Sequence, residues 1–183
     1  MGYATEQKTE KTPDPILSLR HAKLEALKIR ESEVTERDGK VFAPKVSILW
    51  KIVDDNASGE HNGIEFWDNY SLVKSYDDDT KYVIRDGTRI GDLAAFVAHA
   101  FYGGKSFFDV DVDFAVLEGA EVTASLEPRR FKPGEPATGT RTNGATLMPT
   151  NSAQRVAPPQ PVPQAAQQAE PETDESDFDD ISF

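Results

Sequence analysis

A mainly β domain with one helix is the fold class this sequence predicts, on three observations. Apolar residues alternate with polar ones over several short runs, the period of half-buried strands. One stretch, Asp86 to Tyr102, changes to three- and four-residue spacing, the period of an amphipathic helix. From Lys132 onward Pro, Gly, Thr and Gln crowd the chain, and stretches such as Val156 to Pro163 favour an extended linker over a packed core. The 183 residues suffice for one domain of about 100–150 residues with tails.

In chain order, residues 1–18 are polar and read as a disordered arm, without the apolar stretch of a secretory signal. The domain is expected to run from Leu19 to Phe131. Leu27 to Val34 is a first strand, and Asp38-Gly39 marks a turn before Val41. From Lys45 to Val53 the period is two: Val46, Ile48, Trp50 and Ile52 face one way, and Lys45, Ser47, Leu49 and Lys51 the other. A loop at Asp54 to Gly59 precedes a third strand, Gly63 to Leu72, where Phe66 and Trp67 fall on opposite faces. In the helix, Ile90, Leu93, Phe96, Val97, Ala100 and Phe101 form one apolar face. Asp86 or Thr88 caps its start, and Gly103-Gly104 ends it. Phe108 to Phe114 reads either as extended strand or as a short helix-like connection. Ala120, Val122, Ala124 and Leu126 alternate in a last strand that Pro128 follows. A five-stranded OB-like barrel places its helix between strands 3 and 4, and this order matches it. A small β-sandwich or another partly open barrel would read similarly.

Composition narrows the chemistry. The absence of Cys excludes disulfides, thiolate zinc sites and thiol catalysis. No apolar run approaches the roughly 20 residues of a membrane helix. His21, His61 and His99 are scattered, with no nucleophile–base arrangement beside them. Asp109-x-Asp111-x-Asp113 fails as a calcium loop, since Phe114 and Ala120 stand where Gly and Glu are required. No enzyme activity, metal or cofactor is therefore expected. The net charge of −12 is uneven: residues 170–183 hold seven acids and no base. Residues 1–150 remain mildly acidic, so any binding of nucleic acid needs cations gathered locally.

The run Asp174 to Phe183 combines five carboxylates, no base and three large apolar side chains, Phe178, Ile181 and Phe183. A segment unable to bury its own aromatics suits a small apolar pocket ringed by Lys and Arg on another protein. Its end, Asp177-Phe178-Asp179-Asp180-Ile181-Ser182-Phe183, resembles the C-terminal tip of bacterial and phage single-stranded DNA-binding proteins. Ser182 replaces the Pro usual there, and one Asp fewer is present. The strand Gly63 to Leu72, the helix after it, and Leu117 to Leu126 resemble, more loosely, small OB-type replication proteins of phages.

The resemblance implies an OB-fold domain over 19–131 that coats single-stranded DNA, without sequence specificity, in replication, recombination and repair. A Pro/Gln-rich linker over 132–169 would lead to an acidic tip over 170–183. The tip would recruit replication or recombination proteins through Asp177, Phe178, Asp179, Asp180, Ile181 and Phe183. In the absence of DNA it would occupy the domain's own groove. Also implied are the cytoplasm of a bacterial host cell, no membrane, and a homo-oligomer as an allowed state. Binding of single strands needs π-faces for bases and cations for phosphates. The candidates are Trp67, Tyr70 and Tyr76 with Lys45, Lys51, Lys74 and Lys81, and the cluster Arg129 and Arg130 at the exit of the last strand. The alternative, favoured by the body's acidity, is an adaptor or DNA-mimic protein that binds a replication enzyme and not DNA.

Overall fold

Strand β1 (Leu19–Ser32) is shared by both halves of the sheet. The computed structural model describes residues 14–150. The first half of β1 pairs with β8 (Glu121–Arg129) and the second with β4 (Lys45–Asp54), both antiparallel. Register shifts next to Leu24, Ala26 and Leu19, with His21 at a φ of 54°, mark bulges along β1. Bulges bend a strand and increase its twist, which lets β1 serve two partners.

The hairpin of β2 (Thr35–Arg37) and β3 (Lys40–Phe42) turns at Asp38 and Gly39, at φ of 54° and 70°. Two positive φ values in succession suit Asp-Gly and the strand twist. Beyond β4 come β5 (Glu65–Ser71), a short hairpin of β6 (Val73–Lys74) and β7 (Tyr82–Val83), and the helix α1 (Arg89–Phe101). After β8 follow β9 (Gly139–Thr142) and β10 (Met148–Pro149), both paired with β8. The main sheet runs β10-β8-β1-β4-β5, with β9 attached to β8. It is strongly curled into a half-barrel, compatible with an OB-like β fold.

The alternation expected in β4 is realised: Val46, Ile48, Trp50 and Ile52 are buried, and their neighbours are not. Helix α1 packs Ile90, Leu93, Val97 and Phe101 on this core. Thr88 is its N-cap, accepting from the Gly91 N–H, and Gly103 and Gly104 lie just past its end at positive φ. At Gly91 a side chain would meet the Arg85 carbonyl oxygen at 2.1 Å, so only glycine lets the helix start this close to the preceding loop.

Curling brings β9 against β5, and a buried carboxylate joins them. Asp68 Oδ2 accepts from Thr142 N and Thr142 Oγ1, each at 2.8 Å. Arg89 Nη2 lies 3.0 and 2.8 Å from the two Asp68 oxygens, tying α1 to the same point. Burying a carboxylate is tolerable only when its lone pairs are filled in this way.

Four expectations need correction. The first strand starts at Leu19, eight residues before Leu27: Ala22 and Ala26 on the buried face give little strand signal, and the bulge breaks the period. Of the two readings of Phe108 to Phe114, the extended strand is not formed; Asp113 caps a 3₁₀ turn, Phe114–Leu117, through the Ala115 N–H at 2.9 Å. The domain does not stop at Phe131. Residues 132–150, expected as linker, supply β9 and β10, with Thr140, Thr142 and Leu147 buried. Nor is all of 1–18 a free arm: Leu17 is buried, its N–H donates to Thr140 Oγ1, and that hydroxyl donates to the Pro15 carbonyl at 2.6 Å. Residues 1–13 and 151–183, with half of the expected linker and all of the acidic tip, lie outside the described residues.

Candidate nucleic-acid interface

The pairing register lays out the outward face of β1, β4 and β5 as rows. Ser32, Lys45 and Ser71 form the first; Arg30, Ser47 and Asn69 the second; Lys28, Leu49 and Trp67 the third; Glu25, Lys51 and Glu65 the fourth. Cross-strand neighbours in a row are close enough to act together. The face is therefore cationic over its first three rows, while Lys51 in the fourth stands between two acids.

A groove of about 580 Å³ lies at the first two rows. Arg37 and Phe42 reach it from the β2–β3 hairpin, Lys45 and Asn69 from the sheet, and Arg129 and Phe131 from the end of β8. Phe42 is 49% and Phe131 78% exposed, so both rings are open to a ligand. The groove's lining holds three cations and no carboxylate, in a chain of net charge −12. A second cleft, about 660 Å³, is lined by Val34, Leu72, Ile84 and Phe114, with Glu31 and Glu33 among its polar groups. Its acids make it the poorer place for a phosphate.

Arg129 is partly held in place: its Nη2 lies 3.2 Å from Asp14 Oδ2 and 3.3 Å from the Thr138 carbonyl, while its buried Nε has no partner among the described residues. Arg130 points elsewhere; its Nη1 donates to the Glu135 carbonyl and shapes the loop after β8.

Of the expected site residues, the structure brings Lys45 and Arg129 together. Trp67 lies on the same face, one row beyond the groove, half-buried with the Arg30 guanidinium 4.7 Å from its ring centroid. Tyr76 is 86% exposed and stacked by Arg85 at 4.1 Å, on the β6–β7 hairpin with Lys74 and Lys81; Lys81 pairs with Asp78 at 3.1 Å.

Tyr70 is a correction. It is fully buried, its hydroxyl bonds Thr142 Oγ1, and the Arg89 guanidinium lies over its ring at 4.7 Å. Burial, then the nearby Asp68 charge, pushes its pKa far above the ordinary 10.0. It cannot stack a base. Period two from Phe66 already places it inside; the buried Asp68 between them disguised that face as a polar one.

Arg30, Arg37, Phe42, Asn69 and Phe131 are the groove and platform residues that sequence reasoning missed. For Arg37 and Phe42 a signal was present: both flank the Asp38-Gly39 turn, and an aromatic on so short a hairpin has no core to enter.

The loop after β4 is built on Asp55. Its carboxylate accepts from the N–H groups of Ala57, Gly59 and His61 and from His61 Nδ1, at 2.9–3.2 Å. Burial works to raise its pKa, but the Gly59 and His61 hydrogen bonds outweigh it and bring the value to about 2. Among the described residues, no group of three or more His, Asp or Glu is placed to hold a metal ion, and no helix is long and apolar enough to cross a membrane. Compared with known protein families, curated proteins and solved structures, the chain matches none.

Proposed function

We propose that this chain is a single-stranded DNA-binding protein, built on a five-stranded OB-like barrel of β1, β4, β5, β8 and β9 with α1 between the third and fourth strands. Such barrels bind oligonucleotides on the face of their strands 2 and 3 and on the loops joining strands 1–2 and 4–5. Here those are β4 and β5, the segment carrying the β2–β3 hairpin, and the loop after β8. The observation that carries the reading is the groove at this place: Arg37, Lys45 and Arg129, the last paired with Asp14, with two exposed aromatics and no acid in the lining. Bases stack on Phe42, Phe131 and, farther along, Trp67, while the cations follow the phosphates. The acidic segment 170–183 recruits replication or recombination enzymes through Phe178, Ile181 and Phe183 and the carboxylates between them.

Fluorescence anisotropy of labelled oligo-dT against a duplex of equal length tests this. The full chain is expected to prefer the single strand, and Lys45→Ala and Arg129→Ala each to weaken it severalfold. Equal, weak binding of both forms of DNA would leave the adaptor reading, in which the partner is a protein.

A further inference from the structure

Along the outward face of the sheet, charge changes sign at one step. Lys45, Arg30 and Lys28 stand one to a row in the first three rows, and no acid shares those rows. The fourth row, followed onto β8, reads Glu121, Glu25, Lys51 and Glu65 from strand to strand. It holds three carboxylates and one ammonium. Glu121 is paired with Lys23 at 2.9 Å, whereas Glu25, Lys51 and Glu65 belong to no ion pair among the described residues. Successive rows are two residues apart, about 6.7 Å along a strand, close to the spacing of phosphates in an extended single strand. A strand of DNA that starts at the groove and follows β1 and β4 meets one cation per step for three steps. The Trp67 ring, beneath the Arg30 guanidinium, lies beside the third. At the next step it meets net negative charge. Exposed charges act over about 8 Å at physiological salt, so this repulsion is felt at the fourth row and hardly at the groove.

We infer that Glu25 and Glu65 end the path of the nucleic acid on this face, and so fix the footprint of one protein molecule at the short end of the range for OB-type domains, about four nucleotides. Lys51 is then a cation kept off the path by its two acidic neighbours. This rests on the groove being the site for single-stranded DNA.

The test is affinity against length for oligo-dT, measured by anisotropy on the full chain at physiological salt, from below to well above about four nucleotides. For the wild type, affinity is expected to climb steeply until the footprint is filled. Beyond that it grows only with the number of ways of placing the protein on a longer oligomer. Replacing both acids, Glu25→Gln with Glu65→Gln, opens Lys51 to a further phosphate. The steep climb should then continue past the wild-type length, and longer oligomers should bind severalfold tighter, with a salt slope steeper by about 0.7. The shortest oligomers should stay within about twofold. Glu65 is exposed at the start of β5, so Glu65→Gln alone serves if the double variant folds poorly. Asp79→Asn, which removes an exposed acid from the β6–β7 hairpin, outside the rows, should leave the shape of the curve unchanged. Equal tightening at every length, an unchanged curve, or the same change of shape in Asp79→Asn would overturn the inference and leave the binding function standing. A wild type that does not prefer the single strand to a duplex would instead overturn the function on which it rests.

Discussion

Trp67 and Tyr70 are three residues apart on one strand, yet the structure separates their fates. Trp67 lies on the outward face beneath Arg30, and Tyr70 points into the core beneath Arg89. The outward ring is partly exposed; the inward one is part of the joint between β5 and β9. Tyr70→Phe removes a buried hydroxyl and leaves Thr142 Oγ1 its bond to Asp68. It is expected to cost about 1 kcal/mol of stability in urea unfolding and to leave affinity for single-stranded DNA unchanged. A loss of affinity at unchanged stability would show that Tyr70 contributes to the groove after all. Alternation alone predicts the inward course of Tyr70 from Phe66, but a carboxylate on a core face is read as evidence against burial. Only the three-dimensional proximity of Arg89 and Thr142, 21 and 74 residues away in sequence, makes Asp68 acceptable there.

Elements rich in aliphatic side chains, β4, β8 and α1, were legible from their periods, and Asp38-Gly39 announced the β2–β3 hairpin. β9 was not, because its buried positions are Thr140 and Thr142, whose signal is polar, in a segment of linker-like composition. The groove was legible only in part, since its walls come from distant segments, as the pair Arg37 and Arg129 illustrates. Because β9 completes the sheet, a chain ending at Phe131 is expected to lack a cooperative thermal transition, whereas one ending at Thr150 melts like the full chain; calorimetry of the two decides it. The loop after β4 makes a separate prediction. Asp55 has a folded pKa of about 2, below its ordinary 3.8, so its contribution is fully present above 3.8 and fades as pH falls towards 2. Asp55→Asn is therefore expected to melt below the wild type at pH 6, and the gap should shrink across that window. A gap independent of pH would mean that the carboxylate's charge plays no part in holding the loop.

At the scale of the whole molecule, the acidity is compatible with the proposed DNA binding through segregation: seven acids lie in residues 170–183, and Arg37, Lys45 and Arg129, the last paired with Asp14, line one groove whose lining holds no carboxylate. Three phosphate contacts correspond to a slope of log affinity against log salt of about −2 for a single strand. Deleting residues 174–183 is expected to tighten binding at low salt and to lessen its salt sensitivity, because the acidic segment no longer competes for the groove. Titrations of both chains at several salt concentrations would expose a wrong assignment as identical curves.

The clasp of Thr140 on Pro15 and Leu17 joins positions 125 and 123 residues apart. Contacts of such range form late and slow the search for the native state. During synthesis β1, β4 and β5 therefore emerge as an open, one-sided sheet, with Asp68 still awaiting Thr142. The curled sheet can close, and its groove take shape, only after the ribosome has released nearly the whole domain, so a stalled nascent chain of this protein would present an unfinished sheet to chaperones and no formed groove.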